Sequence, residues 1–175
     1  MEIAQAGGDR TKGGIKMEQI QGYKKGKHPT REQMIVNIIR RSNVQDLKAR
    51  ILVVDDDSQT AETLKDLLMF AGFEVETAGN GKQAIELLTT ARHFDLLITD
   101  MQMPQMDGLE LVRLSHQVRE HLPVIVLTGY GTVDNGIHSL EEGACDYILK
   151  PFNTEKLLRV VQGVLRNRSW AVCTA

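Results

Sequence analysis

The sequence predicts an α/β fold: a doubly wound sheet of five parallel strands with helices on both faces, preceded by an N-terminal extension that carries a short helix. Three observations point there. From Arg50 onward, short β-rich apolar runs alternate five times with amphipathic stretches of helical period, as βα units require. The first run, Ile51–Val54, is too apolar to have a wet face and reads as a central strand covered on both sides. Sequential right-handed crossovers in such a sheet favour the order 2-1-3-4-5, which brings the carboxyl ends of the first, third and fourth strands together.

The elements follow in order. After Ile51–Val54, Ser58 opens a helix whose apolar positions Ala61, Leu64, Leu67, Leu68 and Ala71 recur at i, i+3 and i+4, and Gly72 closes it. Phe73 to Thr77 forms the second strand, and Asn80-Gly81 signals a turn before a helix bearing Ala84, Ile85, Leu87 and Leu88. Leu96 to Thr99 is the third strand, Gly108 to about Glu120 the third helix, and Val124 to Leu127 the fourth strand. A weaker helical stretch runs from Val133 to Glu142. Ala144 to Leu149 makes the fifth strand, and Thr154 to about Arg166 the last helix, with Leu157, Leu158, Val161 and Leu165 on one face.

Composition narrows the function classes. The 175 residues give room for one domain of ordinary size plus an extension. No apolar run approaches the roughly 20 residues that span a bilayer, and the first thirty residues lack the apolar stretch of a signal peptide, so a cytoplasmic protein is expected. Cys145 and Cys173 make neither a disulfide framework nor a metal cluster. The formal net charge of -2 hides an asymmetry. Residues 1–50 carry eleven basic and five acidic residues, or +6, which leaves ten against eighteen, or -8, for the rest. An acidic domain behind a basic leader is not a uniform nucleic-acid-binding surface.

The residues just past the strands are chemically distinctive. Asp55-Asp56-Asp57 follows the first strand and Asp100 the third, and these strands are neighbours in a 2-1-3-4-5 sheet. Two carboxylates about 4 Å apart repel by roughly 4 kcal/mol at an effective dielectric of about 20, so the cluster needs a cation or a raised pKa. With oxygen donors and no nearby His or Cys, a hard divalent ion such as Mg²⁺ suits it, with Mn²⁺ as a substitute. Thr128 after the fourth strand adds a hydroxyl donor and Lys150 after the fifth a compact positive charge. A carboxylate nucleophile, a metal, a hydroxyl and an ammonium are together what phosphoryl transfer needs. A lone Thr or Lys at a strand end is usually a turn or surface residue, and Asp57, just before Ser58, reads as a helix cap outside the site. Their joint occurrence at four strand ends carries the signal.

At this point the chain resembles the receiver domain of bacterial two-component systems, over nearly all of residues 50–168. The resemblance rests on Ile51–Asp57, on Asp100-Met101-Gln102-Met103-Pro104-Gln105-Met106-Asp107-Gly108, on Val126-Leu127-Thr128-Gly129-Tyr130-Gly131, and on Gly143–Phe152. It implies a flavodoxin-like fold and a phosphoacceptor at Asp100, charged by a sensor histidine kinase or a histidine phosphotransfer protein. By the same resemblance Asp56, Asp100 and the backbone carbonyl of Gln102 hold Mg²⁺ directly, Asp55 acts mainly through metal-bound water, and Lys150 pairs with a phosphoryl oxygen. A cis peptide before Pro151 is implied as well. Thr128 is expected to move toward the phosphoryl group and Tyr147 to swing inward behind it, giving the face of the fourth helix, fifth strand and fifth helix two states. Gln102 and Tyr130 stand where the family tunes phosphoryl lifetime. The domain is expected to be a switch that assists its own phosphorylation and dephosphorylation, not an enzyme with turnover on an outside substrate. A protein partner, or a phosphorylation-dependent homodimer, is the expected listener.

Two other classes fit less well. A haloacid-dehalogenase-like phosphatase carries its nucleophile after the first strand in an Asp-x-Asp-x-Thr/Val pattern, whereas Asp55-Asp56-Asp57-Ser58-Gln59 ends in Gln, and no acidic metal motif follows Lys150. A flavodoxin-like cofactor module would need a phosphate-cradling loop after the first strand, where this chain places acids. Outside the match, residues 1–49 form a basic extension. Within it residues 1–28 are expected to be disordered, and a helix is expected over 30–46, opened by Thr30 with Gln33 and striped by Met34, Ile35, Ile38 and Ile39. Residues 169–175 form a tail too short for an output domain, so direct DNA binding is not expected.

Overall fold

The structure is a computed structural model and describes residues 48–90, 92–129 and 133–167. The expected helix over 30–46, the expected disorder before it, Tyr130 and the tail from 168 onward lie outside the described residues. Among the described residues ten elements alternate strictly: β1 Arg50–Val54, α1 Ser58–Phe70, β2 Glu74–Ala78, α2 Gly81–Thr89, β3 Leu96–Asp100, α3 Gly108–Val118, β4 Val124–Thr128, α4 Val133–Glu141, β5 Asp146–Leu149 and α5 Thr154–Arg166. The five strands are all parallel, in the order β2-β1-β3-β4-β5. Among the described residues no helix is long and apolar enough to cross a membrane.

The period of two in the strands divides the core into two layers. Ile51, Val53, Ile98 and Leu127 pack with Leu64, Leu68, Leu157 and Val161 of α1 and α5. Leu52, Val54, Leu97 and Val126 face the other way, against Ala84 and Leu88 of α2 and Leu111 and Val112 of α3. Each fully buried aliphatic side chain contributes about 1.5–3 kcal/mol, so β1, β3 and β4, buried on both faces, anchor the strand ends rigidly.

Helix starts are set by caps. Asp57, Asn80, Asp107 and Asn153 each accept a backbone N–H from the first turn of the helix that follows, at 2.7–3.1 Å. Asp57 is therefore the helix cap that its position suggested.

Three strand starts differ from the sequence expectation: β1 opens one residue early, at Arg50, and β2 and β5 open late for one shared reason. The Gly72 N–H bonds to the Met69 carbonyl and the Phe73 N–H to that of Leu68, a Schellman stop with Gly72 at φ +98°. The Gly143 N–H bonds to the Leu140 carbonyl and the Ala144 N–H to that of Ser139, the same stop with Gly143 at φ +100°. Phe73 and Ala144 are thus spent on ending α1 and α4, and the strands begin at Glu74 and Asp146. At the other ends Asp100 and Thr128 are the last residues of β3 and β4, because each still has a sheet partner: Asp100 opposite Leu127 and Thr128 opposite Leu149. Helix α3 stops at Val118, two residues short of expectation. Cys145 is buried and forms no disulfide among the described residues.

Candidate functional site

Strand register assembles the site. Val54 pairs with Thr99, so the next residue of each chain segment, Asp55 and Asp100, stand side by side at the sheet's carboxyl edge. The Lys150 N–H donates to the Thr128 carbonyl at 2.7 Å, which fixes the end of β5 beside that of β4. Side chains from the ends of β1, β3 and β5 then meet. Asp55 and Asp100 are buried, at 2% and 8% exposure, while Asp56 faces solvent. Thr128 is buried next to them in the order of the sheet.

Lys150 binds both buried acids. Its Nζ lies 2.7 Å from Asp100 Oδ1 and donates to Asp55 Oδ2 at 2.9 Å. Burial alone would lower the Lys150 pKa, but the hydrogen bonds to Asp100 and Asp55 outweigh it and hold it above the ordinary lysine value. Burial also drives the Asp55 carboxyl above the usual carboxylate range, against the opposing pull of Lys150 and of the Asp57 N–H, which donates to Asp55 Oδ1 at 2.9 Å. The two directions are compatible because one ammonium is shared between two acids.

Carboxylate oxygens of Asp55, Asp56 and Asp100 all lie within 4.8 Å of one another. Three carboxylates against one ammonium leave two negative charges, which a divalent cation would balance, and the donors are all oxygen. The residues present therefore fit a hard metal ion.

The family model for the response regulator receiver domain matches residues 51–162. The chain belongs to that family. Among curated relatives, the response regulator MprA of Mycolicibacterium vanbaalenii is 40% identical over 120 residues, 69% of this chain and 52% of the relative. MprA of Mycobacterium ulcerans is 41% identical over 120 residues, 69% of this chain and 51% of the relative. The chain thus spans about half the length of the curated relatives it matches. Among solved structures, a response regulator receiver domain protein of Clostridium thermocellum superposes with a TM-score of 0.65 at 34% identity, over 69% of this chain and 97% of that one. The chemotaxis protein CheY4 of Vibrio cholerae gives 0.63 at 34% identity, over 67% and 99%. This chain carries a receiver domain of two-component signalling.

Within the receiver domain, Asp55, Asp56, Asp100, Thr128 and Lys150 converge on one rim, as their places at strand ends suggested. The Lys150–Pro151 peptide is cis. Gln102 lies at the start of the loop after β3, where its N–H donates to Asp100 Oδ2 at 3.1 Å. Tyr147, opposite Val126 in β5, is half-buried against the α2–α3 layer of the core. The position of Tyr130 lies outside the described residues.

Some contributors were not visible in the sequence. A Cβ on Gly108 would collide with the Asp100 carbonyl oxygen and come within 2.8 Å of the Met101 Cα, so only glycine lets α3 start this close to the phosphoacceptor candidate. The Gly108 N–H bonds to the Met101 carbonyl at 2.8 Å, closing the loop on itself. A groove of about 370 Å³ between α1 and the β5–α5 connection, lined by Asp57, Thr60, Thr63, Leu64 and Phe152, opens one residue along the chain from Asp56. Aspartate-rich strand ends could be read directly, whereas a glycine's role depends on which backbone passes it.

Proposed function

We propose that this receiver domain accepts a phosphoryl group on Asp100 from the phosphohistidine of a sensor histidine kinase or a histidine phosphotransfer protein, in a Mg²⁺-dependent reaction. The observation that carries the reading is the Asp100 carboxylate held 2.7 Å from Lys150 within a cluster of three acids. In the step proposed, an Asp100 carboxylate oxygen attacks phosphorus. The phosphorus–nitrogen bond of the donor breaks with its electron pair going to the imidazole, which then takes a proton from solvent. No general base is needed, because a carboxylate oxygen attacks without giving up a proton.

Lys150 would exchange its carboxylate partner for a phosphoryl oxygen, keeping its charge at the reacting centre. Asp55, Asp56 and Asp100, with the Gln102 backbone carbonyl, would hold Mg²⁺, which when bound neutralises charge on the phosphoryl oxygens. Mn²⁺, also a hard cation suited to oxygen donors, would substitute. Phosphorylation adds up to about two negative charges and several acceptor oxygens, which draw the Thr128 hydroxyl inward. Tyr147 would follow into the space vacated, changing the α4–β5–α5 face. Ile137, Leu140 and Leu149 of that face are exposed apolar residues, which supports its use as a contact surface for a protein partner or a second phosphorylated copy. The domain acts in this reading as a switch that assists its own phosphorylation and dephosphorylation.

The test is incubation with a small-molecule phosphodonor and Mg²⁺, followed by intact mass. The wild type should gain one phosphoryl group and Asp100→Ala none; a gain that survives the substitution would overturn the assignment.

A further inference from the structure

Gly81 is the buried first residue of α2, and its surroundings bear on the loop that leaves β3. A Cβ built on Gly81 would meet the side chain of Met106, with Cβ at 3.0 Å, Cγ at 2.8 Å and Sδ nearer still. Met106 therefore lies directly over the Gly81 backbone, and its side chain packs on the core layer of Ala84, Leu88 and Leu111. Met106 belongs to the loop between Asp100 and Gly108. That loop is fixed at its base by the Met101 N–H donating to the Leu127 carbonyl at 2.7 Å and by the Gly108–Met101 closure. Its tip is turned by Gln105 at φ +70° and by the Met106 N–H to the Pro104 carbonyl at 2.9 Å. The seat on Gly81 is what ties that tip to another helix.

We infer that Gly81 and Met106 form a steric seat that holds the β3–α3 loop in the orientation needed for cation binding, making Gly81 a positioning residue for the metal site. The inference rests on the Mg²⁺-dependent reading above. A backbone carbonyl ligand has no rotamers of its own, so the direction of the Gln102 carbonyl is the direction of its peptide plane. The Gln102 N–H also donates to Asp100 Oδ2, so a tilt of the loop disturbs two ligands together. Adding a methyl at Gly81 cannot be absorbed by rotating the thioether alone, because the Met106 Cβ, fixed by the backbone, is itself at 3.0 Å. The loop or the start of α2 must give by a few tenths of an ångström.

The test is a double-mutant cycle read by Mg²⁺ affinity, measured by calorimetric titration of the unphosphorylated domain, with thermal unfolding in EDTA as the control for the fold. Gly81→Ala should weaken Mg²⁺ binding by about tenfold, in the range of residues that orient metal ligands. Met106→Ala removes the Cγ and Sδ part of the seat without adding a clash and should weaken binding by less than the tenfold of Gly81→Ala. In the Met106→Ala background Gly81→Ala should cost clearly less than in the wild type, since the Cγ and Sδ contacts are gone and only the Cβ contact at 3.0 Å remains. An equal cost of Gly81→Ala in both backgrounds, or unchanged Mg²⁺ affinity in both single variants, would overturn the seat. A wild-type domain that binds no Mg²⁺ would instead overturn the metal-dependent reading, and the seat with it.

Discussion

The Lys150 ammonium sits 2.7 Å from Asp100, although Lys150 follows β5 and Asp100 ends β3, with β4 between them. It serves Asp55 as well, so replacing it removes the counter-charge of two buried acids at once. Lys150→Met should destabilise the metal-free domain by about 2 kcal/mol, within the range for charged hydrogen bonds. Millimolar Mg²⁺ should restore part of the loss, as followed by thermal unfolding with and without EDTA. The pH dependence has a definite sign. Because the folded-state pKa of Lys150 is raised, its contribution is complete below the ordinary lysine value of about 10.4 and disappears as pH rises through the higher folded value. Alkaline titration should therefore narrow the gap between wild type and Lys150→Met.

Gly108→Ala presses a methyl group against the Asp100 carbonyl and the Met101 backbone, neither of which can rotate away. We expect a loss of about 2–3 kcal/mol in urea unfolding, in the upper range of single substitutions. Phosphorylation should fall as well, because the displaced backbone carries Asp100, the proposed nucleophile.

Asp57 accepts the Thr60 hydroxyl at 2.6 Å and the Gln59 N–H at 3.1 Å, and these bonds hold its pKa below the usual carboxylate value. A depressed pKa contributes stability above the unfolded value of about 3.9 that is lost as pH falls through the folded one. The stability difference between wild type and Asp57→Ala should be constant from about pH 5 to 8 and shrink below about pH 4. Chemical denaturation at several pH values measures it, and phosphorylation of Asp57→Ala should persist.

Tyr130 stands two residues beyond Thr128 in the chain, where the family resemblance leads us to expect tuning of phosphoryl lifetime, so its exchange for a small residue should alter the phosphoryl half-life more than the phosphorylation yield. Decay of the phosphorylated form, followed by intact mass after removal of the donor, would show the change; an identical half-life would refute it.

The fold was legible where burial is two-sided. Ile51–Val54, Leu96–Ile98 and Val124–Leu127 are apolar at every position because helices cover both faces. The site was legible because strand ends in a doubly wound sheet converge, which makes Asp55, Asp56, Asp100, Thr128 and Lys150 neighbours from topology alone. What the residues could not display was pairing across distance. That Lys150 binds Asp55 as well as Asp100, that Asp100 still belongs to β3, and that Met106 rests on Gly81 all depend on register and on rotamers. The starts of β2 and β5 were misjudged by the same blindness. An apolar Phe73 or Ala144 looks like strand until its N–H is seen to close the preceding helix.

Those two helix stops divide the labour of the molecule. Gly72 and Gly143 feed the amino-terminal ends of β2 and β5, while the candidate site residues Asp55, Asp56, Asp100, Thr128 and Lys150 lie at the opposite, carboxyl-terminal ends of the strands. The domain thus has a mechanical pole and a chemical pole, separated by the length of a strand. Substitutions at Gly72 or Gly143 should change how much protein survives without changing what each surviving molecule does. Substitutions at Asp56 or Thr128 should do the reverse. Such a division lets a sequence drift toward greater or lesser durability at one end while its reactivity at the other stays the same.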